Sequence, residues 1–242
     1  MIENNLSKNT GVSIMNNDEK PPGNNKASLI IFMRHPEIDK VKTRLSATTS
    51  SEFALLFYLK CSSNLINEIR NIQGIDKYLF YSDRNEKYET ELIPGFFYTD
   101  QIYGDLGLRM KHAIESVLSK GTSKALILGT DIPDLNTEII NRAVNELDQN
   151  DIVLGPANDG GYYLIGMNNM QSFLFENIEF GTPLVLSETV SLVKKSGLKY
   201  SLLPELIDID TEEDLLYWLN ESGNSYIKGE IKIIYNKTKK GM

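Results

Sequence analysis

Cysteine is all but missing: Cys61 stands alone among 242 residues, so no disulfide framework can form within the chain. It falls inside a stretch of helical periodicity, where a packed thiol is expected before a reactive one. Histidine is almost as scarce. His35 and His112 lie far apart, and with Cys61 they do not assemble a zinc site. No apolar run approaches the ~18 residues of a membrane span, and the first residues hold no apolar core that could serve as a signal sequence. These absences make a soluble, cytoplasmic protein the expectation. Basic residues are in deficit, 25 Lys and Arg against 33 Asp and Glu for a net charge of −8, which argues against broad nucleic-acid or acidic-membrane binding. Any anionic ligand then needs a local basic patch or a metal ion. The phosphate fingerprints G-x-G-x-x-G and G-x-x-x-x-G-K-[ST] are lacking, as is the G-x-S-x-G nucleophile elbow. A classical dinucleotide site, a P-loop and Ser–His–Asp catalysis all lose support. No internal repeat is visible, which excludes a solenoid or propeller.

What is present divides into three parts. Residues 1–26 are rich in Asn, contain Pro21-Pro22-Gly23 and show no apolar periodicity, so they read as a flexible tail. Residues 27–220 read as a single domain. Residues 221–242 form a C-terminal extension with weak alternation (Ile231, Ile233, Tyr235) and a basic, frayed end.

Within 27–220, short apolar runs alternate with amphipathic helical stretches, the mark of a layered α/β domain with a largely parallel sheet. Strands are expected at Leu29–Met33, Tyr78–Tyr81, Phe96–Tyr98, Ala125–Leu128, Ile152–Leu154 and Tyr162–Ile165, with a further extended run at Tyr200–Leu203. Helices are expected after a Ser51 cap with Leu55, Leu56, Leu59, Ile66 and Ile69 inward, after Asp105, after Asn136, from Thr182-Pro183, and after Thr211, which stands at capping-box spacing from Asp214.

In open α/β sheets, ligands bind at the carboxyl ends of the strands. Three polar segments fall there. The first, Arg34 to Leu45, places Arg34, Lys40, Lys42 and Arg44 within eleven positions of an otherwise acidic chain, a mix suited to a phosphate or to plain solvation. The second, Gly129-Thr130-Asp131-Ile132-Pro133-Asp134, sets Asp131 directly after an apolar strand, where its oxygens can hold a hard cation. Asp134 is expected to cap the following helix. The third, Asn158-Asp159-Gly160-Gly161, joins a carboxylate to two glycines that admit either a ligand or a tight turn. Asp208 and Asp210, two residues apart before the last helix, form either a metal pair or a cap.

In order along the chain, Lys40-Val41-Lys42-Thr43-Arg44-Leu45, Gly104-Asp105-Leu106-Gly107-Leu108-Arg109-Met110, Gly129 to Leu135, Gly155 to Tyr163 and Asp208 to Leu215 resemble a bacterial family of GT-A-like transferases. That family is described as radical-SAM/selenodomain-associated transferase 1, or as an arsenosugar-biosynthesis-type glycosyltransferase. The resemblance spans about residues 28 to 219. It implies the nucleotide-diphospho-sugar transferase (GT-A) fold, a Rossmann-like three-layer sandwich with a mostly parallel central sheet. It also implies Mg²⁺ or Mn²⁺ on Asp131 with Asp210 or Asp208 as second ligand. Arg34, Lys42, Thr43, Arg44, Gly129, Thr130, Gly160 and Gly161 become nucleotide or phosphate contacts, and Asp131, Asp159, Lys42 and Arg44 the catalytic set, with Asp159 as an acceptor-side base. Two departures stand out: Arg34, His35 and Asp39 replace the family's lysine, small residue and glycine, and Asp131-Ile132-Pro133-Asp134 is not a D-x-D.

The expected activity is glycosyl transfer from a nucleoside-diphosphate sugar to a small acceptor. The alternatives are nucleotidyl transfer from a nucleoside triphosphate to a phosphorylated acceptor, and a non-catalytic nucleotide-binding module. The base, the sugar, the acceptor and the oligomeric state are not encoded in any feature of the sequence.

Overall fold

The computed structural model describes residues 27–82, 93–176, 178–221 and 226–241. The tail expected over residues 1–26 lies outside them. The described chain forms strands β1 (Ala27–Arg34), β2 (Ile75–Ser82), β3 (Phe97–Asp100), β4 (Lys124–Leu128), β5 (Ile152–Pro156), β6 (Tyr162–Met167) and β7 (Tyr200–Leu202). The helices are α1 (Thr43–Ser46), α2 (Ser51–Arg70), α3 (Leu106–Leu118), α4 (Thr137–Glu146), α5 (Phe173–Glu176), α6 (Val185–Lys195), α7 (Glu212–Asn220) and α8 (Tyr226–Gly241).

The strands make one sheet in the order β3-β2-β1-β4-β6-β5-β7. Only β6 runs antiparallel to its neighbours, so the carboxyl ends of the other strands share one edge. This is the mostly parallel α/β fold that the sequence pattern implies. Side-chain alternation divides the core: Leu29, Ile31, Leu126 and Leu128 face α2 and α4, while Ile30 and Ile127 face α3, α5 and α6. Helices on both faces bury the sheet, which is why these strands read as unbroken apolar runs. A third cluster sits off the sheet, where Phe53, Phe57 and Cys61 of α2 meet Trp218 of α7 and Ile227 and Ile231 of α8.

Several sequence expectations need correction. Ser50, not Ser51, caps α2, because its side chain accepts the Phe53 backbone N–H three residues on. The buried face of α2 runs through Phe53, Phe57, Cys61, Leu65 and Ile69, leaving Leu56 and Leu59 exposed. Leu106, the first residue of α3, is also partly exposed. The third strand lies at Phe97–Asp100, one residue later than expected. Helix α6 starts at Val185, past Thr182-Pro183. The C-terminal end is a helix: Ile227 and Ile231 are four apart and both buried, a helical spacing that the alternation of Ile231, Ile233 and Tyr235 concealed. The caps at Asp105 and Asn136, and the capping box of Thr211 with Asp214, form as the sequence indicates.

Candidate functional site: a buried lysine among three carboxylates

Three segments at the carboxyl edge of the sheet converge on one side chain. Lys42 ends the loop after β1, just ahead of α1, in a left-handed conformation with φ 48°. Its ammonium lies 3.0 Å from Asp131 Oδ2, 3.4 Å from Asp208 Oδ1 and 3.6 Å from Asp210 Oδ1. The Lys42 side chain is 3% exposed, while those of Asp131, Asp208 and Asp210 are 39%, 31% and 43% exposed. The lysine therefore lies beneath the carboxylates, and their outer faces meet solvent.

Each arm of this cluster is fixed locally. Thr130 is buried and turns its hydroxyl towards Asp131 Oδ1, at 3.4 Å. The Gly129 N–H donates to the Tyr163 carbonyl, which ties the loop after β4 to β6. The Asp208 backbone N–H donates to Asn158 Oδ1 at 2.8 Å, so the turn after β5 holds the segment before α7. Ile209 between the two aspartates is fully buried and anchors them. Tyr58 of α2 accepts the Arg34 N–H and donates its hydroxyl to the Arg34 carbonyl, pinning the end of β1.

Electrostatics follow from this geometry. Burial alone would lower the Lys42 ammonium, but the charges of Asp131, Asp208 and Asp210 and the hydrogen bond to Asp131 reverse that and hold it above the ordinary lysine range. Burial pushes the Asp208 carboxyl up; Lys42 opposes this, and the charges of Asp131, Asp159 and Asp210 add to it. Burial, then the Asp131 charge, also pushes the Cys61 thiol up, so this cysteine is a packed group and no ready nucleophile.

The remaining sequence candidates divide. Arg44 reaches the cluster from outside, with Nη1 3.0 Å from Asp210 Oδ2 and a side chain 75% exposed. Thr43 and Arg34 are exposed at the same edge. Asp159 is exposed and accepts the Gly161 N–H at 2.9 Å; its charge is felt at Asp208. Gly160 has φ 86°, and a Cβ there would sit 2.1 Å from the Pro183 carbonyl oxygen. The close approach that its glycine permits is thus made by the chain's own backbone. Lys42, expected among the phosphate contacts, directs its ammonium at carboxylates. Asp134 does not cap α4: Asn136 does, and Asp134 Oδ2 accepts the Trp218 indole N–H at 2.6 Å.

The residues to which sequence reasoning gave no role are Tyr58, Asn158 and Trp218, which hold the loops; Tyr58 and Trp218 are buried and Asn158 is exposed. Only Asn158, next to Asp159 in a turn, carried a local signal. The donor set suits a hard cation, since three carboxylates offer oxygens alone. Among the described residues, however, no group of three or more His, Cys, Asp and Glu side chains is arranged to hold a metal ion, and the Lys42 ammonium lies 3.0 to 3.6 Å from one oxygen of each aspartate.

The doubly covered, mostly parallel sheet is the α/β fold of solved structures described as nucleotide-diphospho-sugar transferases and cytidylyltransferases. A family model described as an uncharacterized protein conserved in bacteria (DUF2064) matches residues 65–182. Among solved structures, a candidate nucleotide-diphospho-sugar transferase from Desulfovibrio desulfuricans is similar with a TM-score of 0.80 and 29% identity, over 88% of this chain and 98% of that one. A 4-diphosphocytidyl-2C-methyl-D-erythritol synthase from Anaerococcus prevotii matches with a TM-score of 0.50 and 14% identity, over 79% and 93%. A cytidylyltransferase from Leptospira borgpetersenii serovar Hardjo-bovis matches with a TM-score of 0.50 and 14% identity, over 89% and 95%. The latter two likenesses concern the fold. No curated protein matches the chain in sequence. No helix among the described residues is long and apolar enough to cross a membrane.

Proposed function

We propose that this protein is a transferase acting on a nucleotide-activated small molecule, and that it moves a glycosyl group from a nucleoside-diphosphate sugar to a small acceptor. The observation that carries this reading is the buried Lys42 gathering Asp131, Asp208 and Asp210 at the carboxyl edge of the sheet. Likeness to the Desulfovibrio desulfuricans candidate over nearly its whole length supports the sugar-nucleotide substrate. The resemblance of the five segments to the GT-A-like family points the same way.

Three carboxylates against Lys42 and Arg44 leave the cluster little positive charge to offer a diphosphate, so a bound cation would favour its approach. Mg²⁺ or Mn²⁺ belongs to this reading. Asp131, with Asp210 or Asp208 as the second ligand, would hold it on the solvent-facing side, and when bound it would neutralise the phosphate charge. The protein's own groups do the rest. Lys42 keeps the carboxylates assembled against their mutual repulsion. Arg44, largely exposed, can turn its guanidinium to the leaving diphosphate, with Arg34 at the same edge. Asp159 stands on the open side as a base for the acceptor hydroxyl.

One observation favours a second reading, nucleotidyl transfer from a nucleoside triphosphate. The site carboxylates come from two separate segments, and Asp134 is tied to Trp218, so the loop after β4 offers one carboxylate and no adjacent pair. A nucleotide panel in a thermal-shift assay with and without Mn²⁺ decides between the readings. Metal-dependent stabilisation by UDP, GDP or their sugars supports glycosyl transfer, and stabilisation by one triphosphate supports nucleotidyl transfer. No metal-dependent stabilisation by any nucleotide overturns both.

A further inference from the structure

Helix α8 lies outside the sheet and outside the region matched by the family model, yet it touches what fixes the site. Two residues anchor the converging segments in the core. Leu45 follows Lys42-Thr43-Arg44, and Ile209 separates Asp208 from Asp210; both are fully buried. They share one apolar cluster with Ile227 and Ile231 of α8, Trp218 of α7 and Phe53 and Phe57 of α2. The Phe53 ring meets Tyr235 of α8 edge-on at 5.6 Å.

A polar clasp overlies this seat. Glu212, the first residue of α7, accepts the Tyr235 hydroxyl at 2.5 Å and pairs with Lys239 Nζ at 2.8 Å through the same oxygen. The Lys239 ammonium also donates to the Thr48 carbonyl at 3.2 Å, two residues past α1. One lysine of α8 thus bridges the chain just after Lys42–Arg44 to the chain just after Asp208–Asp210. Lys228 of α8 lies 5.0 Å from the Trp218 ring centre, and Trp218 in turn donates to Asp134, in the loop that carries Asp131. A second ion pair, Lys60 with Glu230 at 3.1 Å, fastens α8 to α2.

We propose that α8 is a positioning element of the site: Tyr235 and Lys239, acting through Glu212 and Thr48, set the separation of the Lys42–Arg44 segment from the Asp208–Asp210 segment. The role rests on the proposed function for its ligand. Its mechanical part does not. Neither residue touches the carboxylates, so their influence on ligand affinity passes through the backbone of the two segments.

The test is the double variant Tyr235→Phe/Lys239→Met in the full chain, compared with Lys239→Arg and with Ile114→Val. The last trims a fully buried side chain on the α3 face of the sheet, far from the clasp in the packing. The probe is Mn²⁺ with whichever of UDP, GDP, CDP and ADP most stabilises the wild type, titrated calorimetrically. The double variant is expected to bind about tenfold more weakly, with Lys239→Arg near wild type and Ile114→Val unchanged in affinity despite its lower melting temperature. Amide exchange should quicken over residues 42–49 and 207–212 and stay unaltered over β4 and α3. Equal affinity loss in Ile114→Val, or unaltered exchange in both segments of the double variant, overturns the role of α8. If the wild type binds none of these probes, the functional reading fails, and exchange in the two segments still decides whether α8 holds them.

Discussion

Lys42 Nζ stands 3.0 Å from Asp131 Oδ2, with the lysine side chain 3% exposed and the aspartate 39% exposed. The cation is buried and the anions above it are only half-buried. That order decides what a substitution at either residue should do.

Lys42→Met removes the charge that holds three carboxylates together while keeping side-chain length. Breaking a buried pair costs ~3–5 kcal/mol, and the partial exposure of the aspartates reduces this to about 1–3 kcal/mol here. Urea unfolding at neutral pH measures the loss. An unchanged midpoint would show that the three aspartates need no internal countercharge.

Asp131→Ala acts the other way round. Asp208 and Asp210 remain as partners for Lys42, so the fold is expected to persist with a stability change within about 1 kcal/mol, while metal-dependent nucleotide binding disappears. Calorimetric titration with Mn²⁺ and nucleotide reads the outcome, and wild-type affinity would remove Asp131 from the site.

The raised Asp208 carboxyl predicts an inverted pH dependence. Its folded-state value lies above its unfolded one, so the folded state binds the proton more tightly. This group's contribution to stability is therefore present at pH below its unfolded range and is lost as pH rises through the folded value. Asp208→Asn abolishes that loss. The melting temperature of Asp208→Asn relative to wild type should climb between about pH 4 and about pH 7 and stay level above that. A difference that stays flat, or falls, contradicts the shift.

Gly160→Ala meets two obstacles at once: φ of 86° and the Pro183 carbonyl oxygen 2.1 Å from the new Cβ. Left-handed strain and overlap together should cost about 2 kcal/mol or more. The Leu186 N–H also donates to the Gly160 carbonyl, so amide exchange at the start of α6 should quicken with the loss. Wild-type stability would mean that the turn relaxes freely.

At Asp39 the sequence posed a question that the backbone answers. The resembling family carries glycine there, and aspartate threatens the loop's freedom. The residue nevertheless sits at φ 63°, where glycine is at ease and aspartate is tolerated, and its carboxylate accepts the Ser51 hydroxyl at the start of α2. Asp39→Gly should shift stability by less than about 1 kcal/mol, since relief of strain offsets the lost hydrogen bond. Asp39→Val should lose ~1–2 kcal/mol in the same denaturation experiment.

Strands with strict apolar runs were legible because both faces of this sheet are covered, and caps such as Asp105, Asn136 and Thr211 were legible because their chemistry is local. Helix α8 was not, because its inward residues Ile227 and Ile231 are few and the exposed Ile233 between its turns imitates alternation. In the site, strand-end position drew Asp131, Lys42 and Arg44 out of the sequence, the spacing before the last helix and the family resemblance added Asp208 and Asp210, and the structure brings the five together. The direction of Lys42 was not legible: a basic residue in a loop can face phosphate or carboxylate, and the partners it turns to, Asp131 and Asp208, stand in segments remote in sequence. Asp134 was misjudged for a similar reason. Its partner, Trp218, lies 84 positions on.

That pairing leaves the molecule with a built-in optical gauge. Trp218 is the chain's single tryptophan, is fully buried, and donates its indole N–H to a carboxylate in the loop that carries Asp131. Emission excited selectively from tryptophan therefore reports on one place in the fold, and its colour and yield should respond to any occupant of the acidic cluster that disturbs the bond to Asp134.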